Sequence, residues 1–196
     1  MIEPKDVLEY WFGPYGASYP ADNSEIWWKK TPEVDAEIKA RFGDACAASS
    51  RGELAHWRET KEGRLAHIIL VDQMSRNMYR DDPRMFAQDD LGQELALLCA
   101  VSDEIYRGYH ERMFQYMPLM HAENVALQRL CEYLFWREFE MGKGEDKERA
   151  KNNHDYAVRH RVIVERFGRF PHRNITMGRE STAEEIAFLK EPGSSF

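Results

Sequence analysis

The chain has no apolar run approaching the roughly 18 to 20 residues that a membrane-spanning helix needs, so nothing in it reads as a span. The opening MIEPKDVLEY is acidic, without the basic start and apolar middle of an export signal, and none is expected. Alternating Val/Ile/Thr runs bounded by turn residues are missing, which argues against a β fold. There is no phosphate-binding glycine loop, no GxGxxG and no Gly-x-Ser-x-Gly elbow. His-x-x-x-His and Cys-x-x-Cys spacings are also missing, and His154-Asp155 is a lone dipeptide whose members point different ways on a helix. No metal and no cofactor is therefore expected. Cysteine is scarce: Cys46, Cys99 and Cys131 are far apart in apolar helical settings, as reduced core thiols of a cytoplasmic protein would be. Basic residues are the minority, 27 against 34 acids. The net charge of −7 excludes a general nucleic-acid or anionic-membrane binder.

What is present is helical. With 196 residues, 43% of them hydrophobic and 31% charged, the chain reads as one globular domain over residues 1–196. Residues 1–30 would form an N-terminal helix with an aromatic loop packed on it, through Tyr15 and Tyr19. Residues 181–190 would be a capped C-terminal helix. Thr31-Pro32-Glu33 opens a helix, with Thr as the cap, Pro in the first turn and an acid after it. Val34, Ile38, Phe42 and Cys46 then give it one apolar stripe. Leu65 to Val71 is apolar nearly all round apart from His67, which predicts a buried central helix running to about Tyr79. Pro118 is expected to end one short helix and restart a long one, Leu119 to Met141, placing His121 in its first turn. A last long helix should stop at Gly168, and Ser181-Thr182-Ala183-Glu184 reads as a capping box. The fold class is all-α: stacked antiparallel helical hairpins, tetratricopeptide-like with degenerate repeats, since that consensus does not recur.

Three polar blocks interrupt this pattern. In the first, Asp72 and Arg76 continue the buried stripe of Leu65 and Ile69, with Gln73, Asn77 and Arg80 beside them. Buried charges are costly unless paired, so these residues either close the helix end or reach a cleft. In the second, His121 shares a face with Asn124 and Gln128, and a helix start would keep it neutral. The third, Arg159 to Arg179, holds six arginines and one acid, a local charge of +5 against −12 over the rest of the chain. Arg169, His172, Arg173 and Asn174 fall in its non-helical part and Arg179 just before the capped helix. Guanidinium forks suit carboxylate or phosphate. His160 lies on an apolar stripe and reads as a core residue.

These blocks carry a resemblance. Trp11-Phe12-Gly13, Asp72 to Arg80, Phe86 to Asp89, Tyr116 to Glu123, Arg166 to Asn174, Gly178 to Glu185 and Ser194-Ser195-Phe196 resemble the pattern of the bacterial "domain of unknown function 924" family. Met74-Ser75 stands where that pattern has Phe-Pro, and Ala122 where it has Ser. The resemblance implies an all-α, tetratricopeptide-like fold and supplies no activity.

Three functions compete. The first is a cleft for a small carboxylate or phosphate, lined by Asp72, Gln73, Arg76, Asn77, Arg80, His121, Asn124, Arg169, His172, Arg173, Asn174 and Arg179. The second is an enzyme in the same cleft, with His121 or His172 as general acid or base and Asp72 orienting it. The third is a protein-interaction module in which the polar blocks are internal braces and a protein partner binds elsewhere.

Overall fold

The computed structural model describes residues 2–14, 23–29, 31–102 and 108–196. Tyr15 and Tyr19 lie outside these. The described residues are helical, with no strand among them. No helix among them is long and apolar enough to cross a membrane. The helices are α1 (Pro4–Phe12), α2 (Ser24–Trp28), α3 (Pro32–Ser50), α4 (Lys61–Ile68), α5 (Ser75–Met78), α6 (Asp89–Val101), α7 (Tyr109–Met120), α8 (Val125–Met141), α9 (Gly144–Phe167) and α10 (Ala183–Phe188). The chain groups into two compact units, Met1–Arg80 with Arg84–Pro118, and Asp81–Pro83 with Leu119–Phe196.

In the first unit the helix of α4 runs through a π-helical segment, Ile69–Met74, into α5. Thr60 caps it by accepting from the Gly63 N–H at 3.0 Å. Every residue from Leu65 to Met74 is buried, as the apolar run predicts, and α4 packs against α1 and α6. Trp11, Phe12, Trp27 and Phe114 build an aromatic core beside it, with the Trp27 indole donating to the Trp11 carbonyl at 2.8 Å. Thr31 caps α3 as read, and Ile38, Phe42 and Cys46 of its stripe are buried.

In the second unit α8 and α9 form an antiparallel hairpin: Arg129 pairs with Glu165, and Arg161, nearer the start of α9, pairs with Glu132, farther along α8. The link turns at Gly142, where a Cβ would come within 2.7 Å of the Glu138 carbonyl oxygen. Gly168 ends α9 in the left-handed region, at φ +70°. The capping box of α10 is Thr182 with Glu185, one residue later than the spacing suggested. Ile163, Val164, Phe170 and Phe188 form the core under this cap.

Pro118 does not break its helix. It sits inside α7, which runs on to Met120. The turn at residues 121–124 follows, so His121 is in a turn rather than at a helix start. Apolar burial of Phe114, Leu119 and Met120 keeps the helical course despite the one missing N–H. The long helix starts six residues later than expected, at Val125, where Asn124 caps it by accepting from Ala126 and Leu127 at 2.9 and 3.2 Å.

Candidate functional site

The residues singled out from the sequence divide between the units, and each group is built locally. In the first unit, the π segment turns both Asp72 and Gln73 inward, and Asp72 is 1% exposed. Every residue of Ile69–Met74 is buried, so the helix is enclosed all round here and both polar neighbours are kept from solvent. The Gln73 amide donates to Asp72 Oδ2 at 2.6 Å. Arg76 Nη2 lies 3.4 Å from Asp72 Oδ1 and donates to both oxygens of Asp89 at 3.0 and 3.1 Å. Its Nη1 donates to the Met85 carbonyl at 3.1 Å. Burial works against the Arg76 charge, but Asp72 and Asp89 outweigh it and raise its pKa. One turn on, Arg80 forks onto both oxygens of Asp35 at 2.8 Å, and the Asn77 amide donates to Oδ1 at 2.8 Å. Burial of Asp35 is outweighed by these donors, so its carboxyl is held below the usual range. Both arginines are therefore matched by carboxylates of the same unit.

A serine–histidine pair that the sequence did not reveal lies in this unit. Ser49 Oγ is 2.7 Å from His67 Nε2 and 2.6 Å from Gln88 Oε1, all at buried positions or partly so. The Gln88 amide nitrogen donates to the Cys46 carbonyl at 3.3 Å, which fixes its oxygen toward Ser49. The Ser49 proton thus goes to Gln88, and His67 Nε2–H donates to Ser49. That is the reverse of the polarity a nucleophilic serine needs, where the imidazole must accept the hydroxyl proton. Burial pushes the His67 pKa down to about 4.

In the second unit most of the arginines are also matched. Arg161 pairs with Glu132 and Glu165, and Arg166 with Glu184. Arg169 forks onto Glu185 at 2.7 and 2.8 Å and donates to the Glu180 carbonyl at 2.9 Å. Glu185 also accepts from the Thr182 N–H at 2.8 Å, and with Arg169 as the chief cause its pKa falls to about 2. Asn174 is buried, donating to Ser181 Oγ at 3.0 Å. Arg179 forks onto Glu123 at 2.5 and 2.8 Å, and the Phe170 N–H donates to the same carboxylate at 2.8 Å. Burial of Glu123 is outweighed by these partners, and its pKa is lowered. The Gln128 amide closes the preceding turn, donating to the Met120 and Ala122 carbonyls at 2.6 and 2.8 Å.

What remains gathers around His160. Its Nδ1–H donates to the Tyr156 carbonyl at 2.8 Å, an i to i−4 bond within α9. The ring of Phe196 stacks on it at 3.6 Å with 17° between planes, and Phe170 meets it edge-on at 5.6 Å. The His121 and His160 rings are 6.5 Å apart, and His172 stands 6.1 Å from Phe196. Burial, with the neighbouring cations adding to it, pushes His160 to about 3 and His172 to about 4. Both are neutral imidazoles at pH 7. His172 also hydrogen-bonds the Ser194 backbone, while its buried Nδ1 has no partner. Two guanidiniums flank the cluster. Arg173, 7% exposed, lies 4.5 Å over Phe170, and Arg159 lies 5.0 Å over Tyr156 and 5.3 Å over Phe196. Among the described residues Arg159 has no carboxylate partner.

Of the residues read from sequence, His121, His172 and Arg173 therefore meet in one cluster, with His160 and Arg159 as unforeseen members. Asn124 is spent on its cap. The acids Asp35, Asp89, Glu123 and Glu185 were not anticipated as partners, although Asp89, Glu123 and Glu185 lie inside the family-like blocks. Among the described residues no group of three His, Cys, Asp or Glu is arranged to hold a metal ion.

These features define an all-α protein with two internally braced helical units and a histidine–aromatic cluster in the second. The chain belongs to the family of bacterial proteins of unknown function designated DUF924, whose model matches residues 7–193. It is similar over 95% of its length, at 33% identity and a TM-score of 0.74, to a solved structure of a protein of unknown function from Agrobacterium tumefaciens, 96% of which is covered. No curated protein matches the chain.

Proposed function

We propose that the protein binds a small anionic molecule, a carboxylate or phosphate compound that also carries a hydroxyl, at the His160 cluster of the second unit. One observation carries this reading: Arg159, with no carboxylate partner among the described residues, and His172, whose buried Nδ1 has no hydrogen-bond partner, both neighbour the ring of Phe196. The guanidinium suits the anion. With its other nitrogen donating to the Ser194 backbone, neutral His172 keeps a lone pair on Nδ1 for a ligand hydroxyl. The site is narrower than the one expected from sequence. Arg76, Arg80, Arg169 and Arg179 serve as braces, because each already holds a carboxylate of its own unit. Imidazoles titrating near 3 and 4 are weak bases at neutral pH, which favours binding over proton transfer. The three buried cysteines, none of them in a disulfide, fit a reducing cytoplasm.

A thermal-shift screen of hydroxy acids and phosphate compounds tests this. A ligand at a hundredfold its Kd stabilises the native state by about 2.7 kcal/mol. The Arg159→Ala variant should lose roughly tenfold in affinity, about 1.4 kcal/mol. No shift from any anion, or an unchanged affinity in R159A, counts against the reading. A protein-interaction module remains the second reading, favoured by Tyr133 and Trp136. They are 53% and 45% exposed and pack on each other at 5.9 Å on one face of α8. A Trp136→Ala variant that sediments like the wild type at high concentration would remove self-association from that reading.

A further inference from the structure

We infer that Phe196 occupies, from within its own chain, a slot built for a flat aromatic ring, and that an aromatic anion takes its place on His160. The inference rests on the proposed anion site and names the ligand class for it. The ring of Phe196 lies nearly parallel to the His160 imidazole, 3.6 Å from it, with the Arg159 guanidinium 5.3 Å away and His172 edge-on. A stacked imidazole, a guanidinium within cation–π reach and an edge-on ring make a geometry for a planar π system, which a branched or saturated group cannot use. The His160 ring is held in place on two sides, its Nδ1–H tied to the Tyr156 carbonyl and Phe170 bracing it at 5.6 Å.

The present occupant is loosely held. Ser194 is buried and its hydroxyl donates to the Leu189 carbonyl at 3.2 Å, whereas Phe196, two residues on, is 39% exposed. Gly193, at φ +78°, turns the chain into this position, with Arg159 Nη2 only 3.1 Å from where a Cβ would lie. Gly193 and Ser194 thus anchor the segment, and Phe196 can leave the slot without unmaking the anchor. A stacking contact of this kind shifts an equilibrium by roughly two- to tenfold. A ligand must compete with that closed fraction, and its apparent Kd is weakened by the same factor. An aromatic ring carrying a carboxylate replaces the Phe196 ring and adds what Phe196 does not supply through its side chain, an anion beside Arg159.

The test uses the full chain and three probes: phenylacetate, cyclohexylacetate and acetate. Calorimetry on wild type and Phe196→Ala should show phenylacetate binding about two- to tenfold tighter in the variant. Cyclohexylacetate should be weaker than phenylacetate in both forms, and acetate should be unchanged between them. The His160 ring protons give a second readout. Phe196→Ala removes their upfield ring-current shift, phenylacetate restores it, and acetate does not. If F196A fails to fold, Phe196→Leu replaces it, since a branched side chain keeps apolar volume without a flat ring. Phenylacetate no tighter in the variant, or cyclohexylacetate as tight as phenylacetate, overturns the slot. If acetate or phosphate still binds wild type in an Arg159-dependent way, the anion site survives that result. If no probe binds either form, the slot falls; if glycolate also fails to bind, the anion site falls with it.

Discussion

Replacing Glu185 by Gln removes the charge at the centre of the second unit's best-connected brace. The carboxylate accepts from two nitrogens of Arg169, from the Thr182 N–H that starts α10, and from the Asn174 amide at 3.4 Å. Its pKa moves from an ordinary 4.5 to about 2, chiefly through Arg169. A folded-state pKa below the unfolded one means the unfolded chain binds more protons between those limits. The stabilisation is thus complete above about pH 4.5 and is lost as pH falls toward 2. Unscreened, it would reach about 3 kcal/mol; the partly exposed Arg169 and solvent screening reduce the expectation to about 1–2 kcal/mol. Chemical denaturation of wild type and E185Q between pH 7 and 3 reads this directly. The stability gap should be about 1–2 kcal/mol at pH 7 and should begin to close below pH 4.5. A gap independent of pH over that range would falsify the charge-based explanation. It would leave the cap hydrogen bond as the whole effect.

Two further outcomes follow from other parts of the structure. Asn124→Ala should cost about 1 kcal/mol through loss of the α8 cap, with no change in anion affinity, measured by denaturation and calorimetry on one preparation. His67, His160 and His172 should give imidazole nitrogen shifts of neutral rings throughout pH 5–8, because burial holds all three well below 6.5. Depressed histidines are neutral when folded but protonate when unfolded, so they add to the loss of stability as pH falls below about 6.5. A midpoint above 6 for any of the three would show that the ring is not buried as described.

Local chemistry was legible in the sequence and long-range pairing was not. Thr31-Pro32 and Gly168 mark their helix ends because cap and stop signals act within a few residues. The run Leu65 to Val71 announced a buried helix because it is apolar on every side. The π segment at Ile69–Met74 gave no such sign, since its extra residue per turn is fixed by what packs around it. Pro118 misled for a related reason: packing of Phe114, Leu119 and Met120 overrides its local preference, and His121 moves into a turn. The arginines were recognisable as a cluster, but their partners were not. Asp35 lies 45 residues from Arg80, and Glu123 lies 56 from Arg179. Nothing in composition links such positions. Arg159, for which no acid is found among the described residues, looked no different from the other arginines of the stretch until the pairs were located.

Nitrogen-resolved spectra of the histidines during a titration with glycolate test the central claim most directly. If the His160 cluster is the binding site, His172 Nδ1 shifts as its lone pair accepts the ligand hydroxyl, and His67 in the other unit stays still. A titration that moves His67 or the Arg76 and Arg169 guanidinium signals, while leaving His172 and His160 untouched, would contradict it.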